Sequence, residues 1–283
     1  MEYDAAVLER VAQRFRRDMW KSVVPEAVTE SGIEMRRFGP VQATAFGDLP
    51  AVHSLNQIQG AAEPDAVEGG HLAEAVEWMR AREVDYRVPV AVSRPGAAEA
   101  EAWLGKRGYE RGGGWVKLVR DTAPPGLLEN SGIAIYELGE EEADGEGLCT
   151  IATEALDLPV TAGTLFFSLP QEDDWRCYTA ALVSGEGIVA TGSMLVEGPV
   201  AQLGLETTLE HVRERGCHTA LLRHRLLAAA AGGCDTVFVE LGECDPECLV
   251  AAYRNLRRAG FEEAYRSRNW QRPAALRSAH SLA

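Results

Sequence analysis

Basic residues are scarce in this chain. Lys and Arg total 28 against 43 Asp and Glu, a formal net charge of -15. Binding to nucleic acid phosphates calls for the opposite balance, so a nucleic-acid partner is excluded as an expectation. Long apolar runs are also missing. No segment approaches the ~18 consecutive apolar residues of a membrane span, so no membrane partner is expected. The first residues, "MEYDAAVLERVAQRFRRDMW", lack the basic start and apolar middle of a secretion signal. The expected location is the cytoplasm. Cysteine is absent from the first half. The six cysteines all lie between Cys149 and Cys248 and form no C-x-x-C pair. Reduced thiols are the expectation, and "CDPEC" (Cys244 to Cys248) matches no usual zinc spacing, so no metal is expected.

What is present suits a globular α/β protein of one or two domains, with 46% hydrophobic residues over 283 positions. Val7, Leu8, Val11, Phe15 and Met19 recur at helical spacing, with Arg10, Arg14 and Arg17 opposite. This predicts an amphipathic helix packed on the fold. A helix lying on a membrane is the alternative, opposed by acidic residues in the first turns. "DTAPPGLLENSG" (Asp121 to Gly132) has two prolines and two glycines and reads as a linker.

After the linker the pattern is regular. "IAIYEL" predicts a strand and the segment around "LCTIATEAL" a helix, followed by a loop that contains "FFSLP" (Phe166 to Pro170). "WRCYTAALV", "GIVATGSMLVEG" and "PVAQLGLETTL" predict three antiparallel strands. A helix from Thr219 to Ala231 ends at Gly232-Gly233, "TVFVEL" is a β-branched strand, "CLVAAYRNLRRAG" a helix and "FEEAYRSRNW" a last strand. The first half echoes this order. "LGKRGYE" and "LRRAGFE" lie 152 positions apart, and the same shift brings "RVPVAV" close to "VFVELG". It also brings the His71 helix close to the helix after His218, and three elements in one register point to duplication. The shift also lays "AAEPDA" (Ala61 to Ala66), which has no glycine, over "RERGCH" (Arg213 to His218).

"RERGCH" leads from a strand into a helix. A helix start carries unpaired N–H groups and a partial positive charge, and Gly216 can take the φ > 0 that lets several amides converge on an anion. Arg213 and Arg215 add charge. An ordinary strand-to-helix connection is the plainer alternative.

These residues resemble the GNAT superfamily of acyl-CoA-dependent N-acetyltransferases. The family's turn reads R/Q-x-x-G-x-G/A. Arg213 and Gly216 match it, and His218 stands where a small residue is usual. "TALLRHRLLAAAAGGC" is similar to the helix that follows, and "YRNLRRAGFEEAYRSRNW" to the last helix and strand, with an N-x-x-R-x-G-F pattern. The resemblance spans residues 133–272. The whole chain resembles tandem members with one working site.

The resemblance implies two GNAT-like domains, 1–125 degenerate and 126–283 with the acetyl-CoA site. Each is an α/β (α+β) unit, a mixed, mostly antiparallel sheet flanked by helices. It implies acetyl-CoA as cosubstrate and a primary amine of a small molecule as acceptor, and it leaves a homodimer open. The pyrophosphate falls on Arg213, Glu214, Arg215, Gly216, Cys217, His218 and Thr219, and the pantetheine arm on Glu206, Thr207, Thr208 and Leu209. Asn255 is a further coenzyme contact. Glu206 and Glu240 are the candidate bases, with Glu243 beside the second. Gln202 stands nearer the family's carboxylate position and cannot act as a base. Tyr253 is the candidate acid, although the usual tyrosine position holds Leu256. Cys217 at a helix start is a candidate nucleophile in a thiol-dependent alternative. Another alternative is a catalytically silent acyl-CoA-binding or interaction module.

Overall fold

The fold was established from a computed structural model, which describes residues 3–21, 29–50, 52, 55–126, 130–139, 142–185, 187–242 and 246–273. Glu243, Cys244 and His53 lie outside the described residues.

The apolar stripe of the first twenty residues forms helix α1 (Ala5–Lys21), which buries Leu8, Val11, Phe15 and Met19. The first half continues with β1 (Ile33–Phe38), β2 (Val41–Phe46), the short β3 (Gln57–Gln59), α2 (His71–Arg80), β4 (Arg87–Ala91), α3 (Ala97–Lys106), β5 (Glu110–Arg111) and β6 (Trp115–Asp121). The second half contains β7 (Ile133–Glu137), α4 (Glu142–Leu156), β8 (Trp175–Leu182), β9 (Ile188–Glu197), β10 (Val200–Thr208), α5 (Cys217–Ala231), β11 (Thr236–Gly242), α6 (Pro246–Arg258) and β12 (Glu262–Gln271).

Among the described residues these strands make one sheet of twelve, in the order β1-β2-β3-β4-β12-β6-β11-β10-β9-β8-β7, with β5 on β12. Most neighbours are antiparallel, while β10 and β11 run parallel. The order contains an exchange. Strand β6 of the first half lies between β12 and β11 of the second, and β12 lies between β6 and β4 of the first. Each half completes its sheet with the other's strand. The two repeats therefore share one hydrogen-bonded body, and a side chain on β6 can enter a site built by the second half.

The helices cover the sheet on both sides. Val237 and Val239 of β11 pack with Leu222 and Leu226 of α5 and Leu256 of α6. Phe238, one residue out of phase, faces the other side with α1 and α4. The "FFSLP" segment is core: Phe166 and Leu169 are buried against α1 in two short 3-10 turns. Leu8, Val11, Phe15 and Met19 thus pack α1 on the sheet. Among the described residues no helix is long and apolar enough to cross a membrane.

Candidate functional site

The parallel pairing of β10 with β11 stops early. The last partners are Leu203 and Val239, yet β10 runs on to Thr208 and β11 to Gly242. Beyond Leu203 the register of β10 against β9 slips between Gly204 and Thr207. Leu205 inside that bulge has φ +51°, an uncommon conformation for a residue with a side chain. The bulge turns the end of β10 away from β11. A wedge opens between them beyond Leu203 and Val239, where the two strands no longer pair.

Thr207 pairs with Thr191 of β9 through their hydroxyls, 2.7 Å apart, and Thr208 continues that ladder against Ala190. Leu209 is buried and starts the connection to α5. In that connection Glu214 has φ +67° and Gly216 φ +92°. Successive residues that alternate into the left-handed region turn their amides toward one side, the concave arrangement that binds anions. The first helical-pattern bond of α5 runs from the Ala220 amide to the Gly216 carbonyl, at 3.0 Å. Linker and turn also touch: the Asn130 amide donates to the Arg215 carbonyl at 3.3 Å. Among the sequence candidates, Arg213, Glu214, Arg215, Gly216, Cys217, His218 and Thr219 therefore share one helix start at the foot of the wedge. A helix start preceded by such a turn can hold an anion such as a phosphate. Cys217 is buried, which leaves little access to a thiol nucleophile.

His218 departs from the family pattern, and its side chain turns along the wedge. Nε2 lies 3.4 Å from a Glu206 oxygen and Nδ1 3.4 Å from the Asn255 amide of α6. The ring thus joins β10, α5 and α6, and brings Asn255 to the turn. Burial pushes the imidazole down to about 4. The unfolded chain binds this proton near pH 6.5 and the folded chain does not. Stability held above pH 6.5 is therefore lost as pH falls toward 4, by about 2 kcal/mol at pH 5. Urea titrations of wild type and His218→Phe at pH 7.5 and 5 test this. The variant is expected to lose about 2 kcal/mol less over that interval; equal losses refute the assignment.

The two candidate carboxylates lie on opposite faces of the sheet. Glu206 is on the α5 side. Glu240 is on the α1 side, where it accepts from Lys117 of β6 at 2.7 Å. The same ammonium donates to Glu9 of α1 at 2.5 Å. Burial alone would lower the Lys117 pKa, but Glu240 and Glu9 outweigh it and hold the ammonium well above its ordinary range. A polar cavity of about 20 Å³ adjoins this group, lined by Glu9, Gln59, Trp115, Lys117 and Glu240, with room for one water. Helix α1 closes this side of the wedge: a Cβ on Gly204 would sit 2.4 Å from the Phe15 ring. Tyr253 goes elsewhere. Its exposed hydroxyl donates to Glu263 of β12 at 2.8 Å, and the structure does not bring it to Glu206 or Glu240. Leu256, at the usual tyrosine position, is fully buried core. Among the described residues no group of three or more His, Cys, Asp or Glu side chains could hold a metal ion.

Two residues of this site escape a reading of the sequence. Arg225 sits between charged neighbours and looks like surface, yet it is fully buried. Lys117 carries a better signal, since it shares a strand face with Trp115 and Val119.

The chain matches no family model and no curated protein sequence. Solved structures do match. A GCN5-related N-acetyltransferase from Kribbella flavida aligns with TM-score 0.58 at 15% identity, over 92% of this chain and 95% of that one. A GCN5-related N-acetyltransferase from Sphaerobacter thermophilus gives TM-score 0.59 at 16% identity, over 83% and 78%. A tandem GNAT protein from the clavulanic acid biosynthesis pathway gives 0.57 at 16%, over 82% and 77%. Likeness at such identities speaks for architecture, and with the wedge, bulge and glycine turn in place it shows that this chain is built on the tandem GNAT fold.

Proposed function

We propose that the chain is an N-acetyltransferase that moves an acetyl group from acetyl-CoA to a primary amine of a small molecule. One observation carries the reading: the pairing of β10 and β11 ends at Leu203 and Val239, beside the left-handed Gly216 turn that opens α5. Residues 126–283 supply this site. Residues 1–125 are the degenerate half, whose counterpart of the turn has no glycine, and they contribute Glu9 and Lys117.

Acetyl-CoA supplies an activated acetyl thioester; the amine nitrogen bonds to the acetyl carbon, the C–S bond breaks, and the sulfur leaves as a thiolate. The turn amides of residues 213–219 hold the pyrophosphate. The end of β10 that no longer pairs with β11, from Glu206 on to Leu209, aligns the pantetheine arm, with Asn255 beside it. This alignment makes the attack effectively unimolecular. Glu240, on the opposite face with Glu9, draws the substrate's ammonium toward the wedge and takes one proton through the one-water cavity, and the second N–H proton, released as the amide forms, goes to the leaving thiolate.

Thiol release from acetyl-CoA, measured over a panel of polyamines, aminoglycosides and amino acids, tests the proposal. Release that requires an amine is expected. One observation favours the alternative of a silent acyl-CoA-binding module, namely that Arg225 and Lys117 occupy both carboxylates. Saturable coenzyme binding with no turnover on any amine supports that module and ends the enzyme reading.

A further inference from the structure

We infer that Arg225 is a positioning residue for the coenzyme: its guanidinium holds the bulge that keeps the end of β10 away from β11. The inference rests on the coenzyme reading above.

Arg225 lies in the middle of α5 with no exposure. Its Nη1 donates to the Ser193 carbonyl of β9 at 3.1 Å and reaches the Gly204 carbonyl at 3.5 Å. Its Nη2 donates to the Glu206 carboxylate. Its Nε returns to the Leu221 carbonyl of its own helix at 3.2 Å. Gly204 and Glu206 are the two neighbours of Leu205, the residue at φ +51°. A residue with a side chain stays in that conformation only where its surroundings impose it. Arg225 grips the chain on both sides of the strained residue and ties it to β9.

The space for this grip is prepared on the facing strand. A Cβ on Gly192 of β9 would sit 2.9 Å from the guanidinium carbon. The grip also extends outward. Glu206 approaches His218 in the first turn of α5, and His218 meets Asn255 of α6. One partly buried polar chain thus sets both the opening of β10 and the start of the helix that presents the turn amides. Lysine at position 225 keeps the charge but lacks the planar fork that serves two carbonyls and a carboxylate together.

An ordinary buried ion pair and a brace make different predictions. A pair can be replaced by apolar residues without loss, provided both partners go. A brace cannot. The test compares full-length wild type, Arg225→Lys, Arg225→Met and the double variant Arg225→Met/Glu206→Leu. The measurements are melting temperature, acetyl-CoA affinity by calorimetry, and amide exchange of residues 204–208. Arg225→Met alone is expected to lose stability, because it leaves Glu206 buried without its cation, and the double variant to recover most of it. In the double variant and in Arg225→Lys, Kd for acetyl-CoA is expected to rise at least tenfold, and residues 204–208 to exchange at least tenfold faster. Unchanged exchange in both variants overturns the brace, whatever the affinity. A wild type without saturable binding refutes the coenzyme reading alone, and the exchange rates still decide the brace.

Discussion

Gly216→Val is expected to weaken acetyl-CoA binding at least thirtyfold while the protein still folds. Gly216 has φ +92° and ψ +6°. An L side chain costs roughly 1–2 kcal/mol in the left-handed region, and a β-branched one is a true outlier there. Steric conflict is the smaller part. The new Cβ would lie 2.9 Å from the Asn130 amide nitrogen, at the far end of a side chain that can move aside. The variant therefore relieves its strain by moving φ toward negative values. That rotation swings the adjoining amide planes and breaks the convergence that Glu214 and Gly216 build together. A pyrophosphate held by several amides loses them as a group, so the binding loss exceeds the folding loss. Thirtyfold corresponds to about 2 kcal/mol.

The control is Gly113→Val. That glycine lies between β5 and β6, with nothing within 4 Å of an added Cβ, and its substitution should leave affinity unchanged. Calorimetric titration with acetyl-CoA, beside a melting curve for each variant, separates the outcomes. Wild-type affinity in Gly216→Val would remove the turn from the coenzyme site.

Local chemistry made much of this legible in advance. The turn announced itself through a glycine between a predicted strand and an apolar-periodic helix, features that are neighbours in the chain. The stripe of α1 was equally plain, because Leu8, Val11, Phe15 and Met19 repeat at the helical period. The exchange of β6 and β12 was not legible. A period-two pattern says that "WVKLVR" and "AYRSRNW" are strands, but not which strands lie beside them. Pairing partners 117 and 265 are set by the closure of the whole sheet. Arg225 was hidden for another reason. Its neighbours Arg223 and His224 make the local pattern look solvated, while the space that receives it comes from Gly192 and its partner from Glu206. Only the folded sheet puts these three together. Lys117 was half visible: an ammonium on the face shared by Trp115 and Val119 needs a carboxylate, but sequence does not say which.

The carboxylates it finds make Lys117→Met the most destabilising single change expected in this chain. Lys117 is one of only three lysines, and its side chain is 4% exposed. It joins three pieces that are far apart in sequence: Glu9 of α1, its own strand β6, and Glu240 of β11. Tyr265 of β12 adds a hydroxyl that donates to Glu9 at 2.7 Å. Methionine fills nearly the same volume, so packing changes little. What changes is charge, since the two part-buried carboxylates lose the ammonium between them. Removal of one partner from a buried pair costs about 3–5 kcal/mol, which in a chain of this size lowers Tm by about 10 °C. Salt should not restore it, because the group is shielded from solvent ions. Adding Glu240→Gln removes one of the stranded charges and should recover part of the loss at pH 8. A Tm within about 2 °C of wild type at pH 8 would mean that α1 and the exchanged strand are held by apolar packing alone, and that the first half lends the second only its surface.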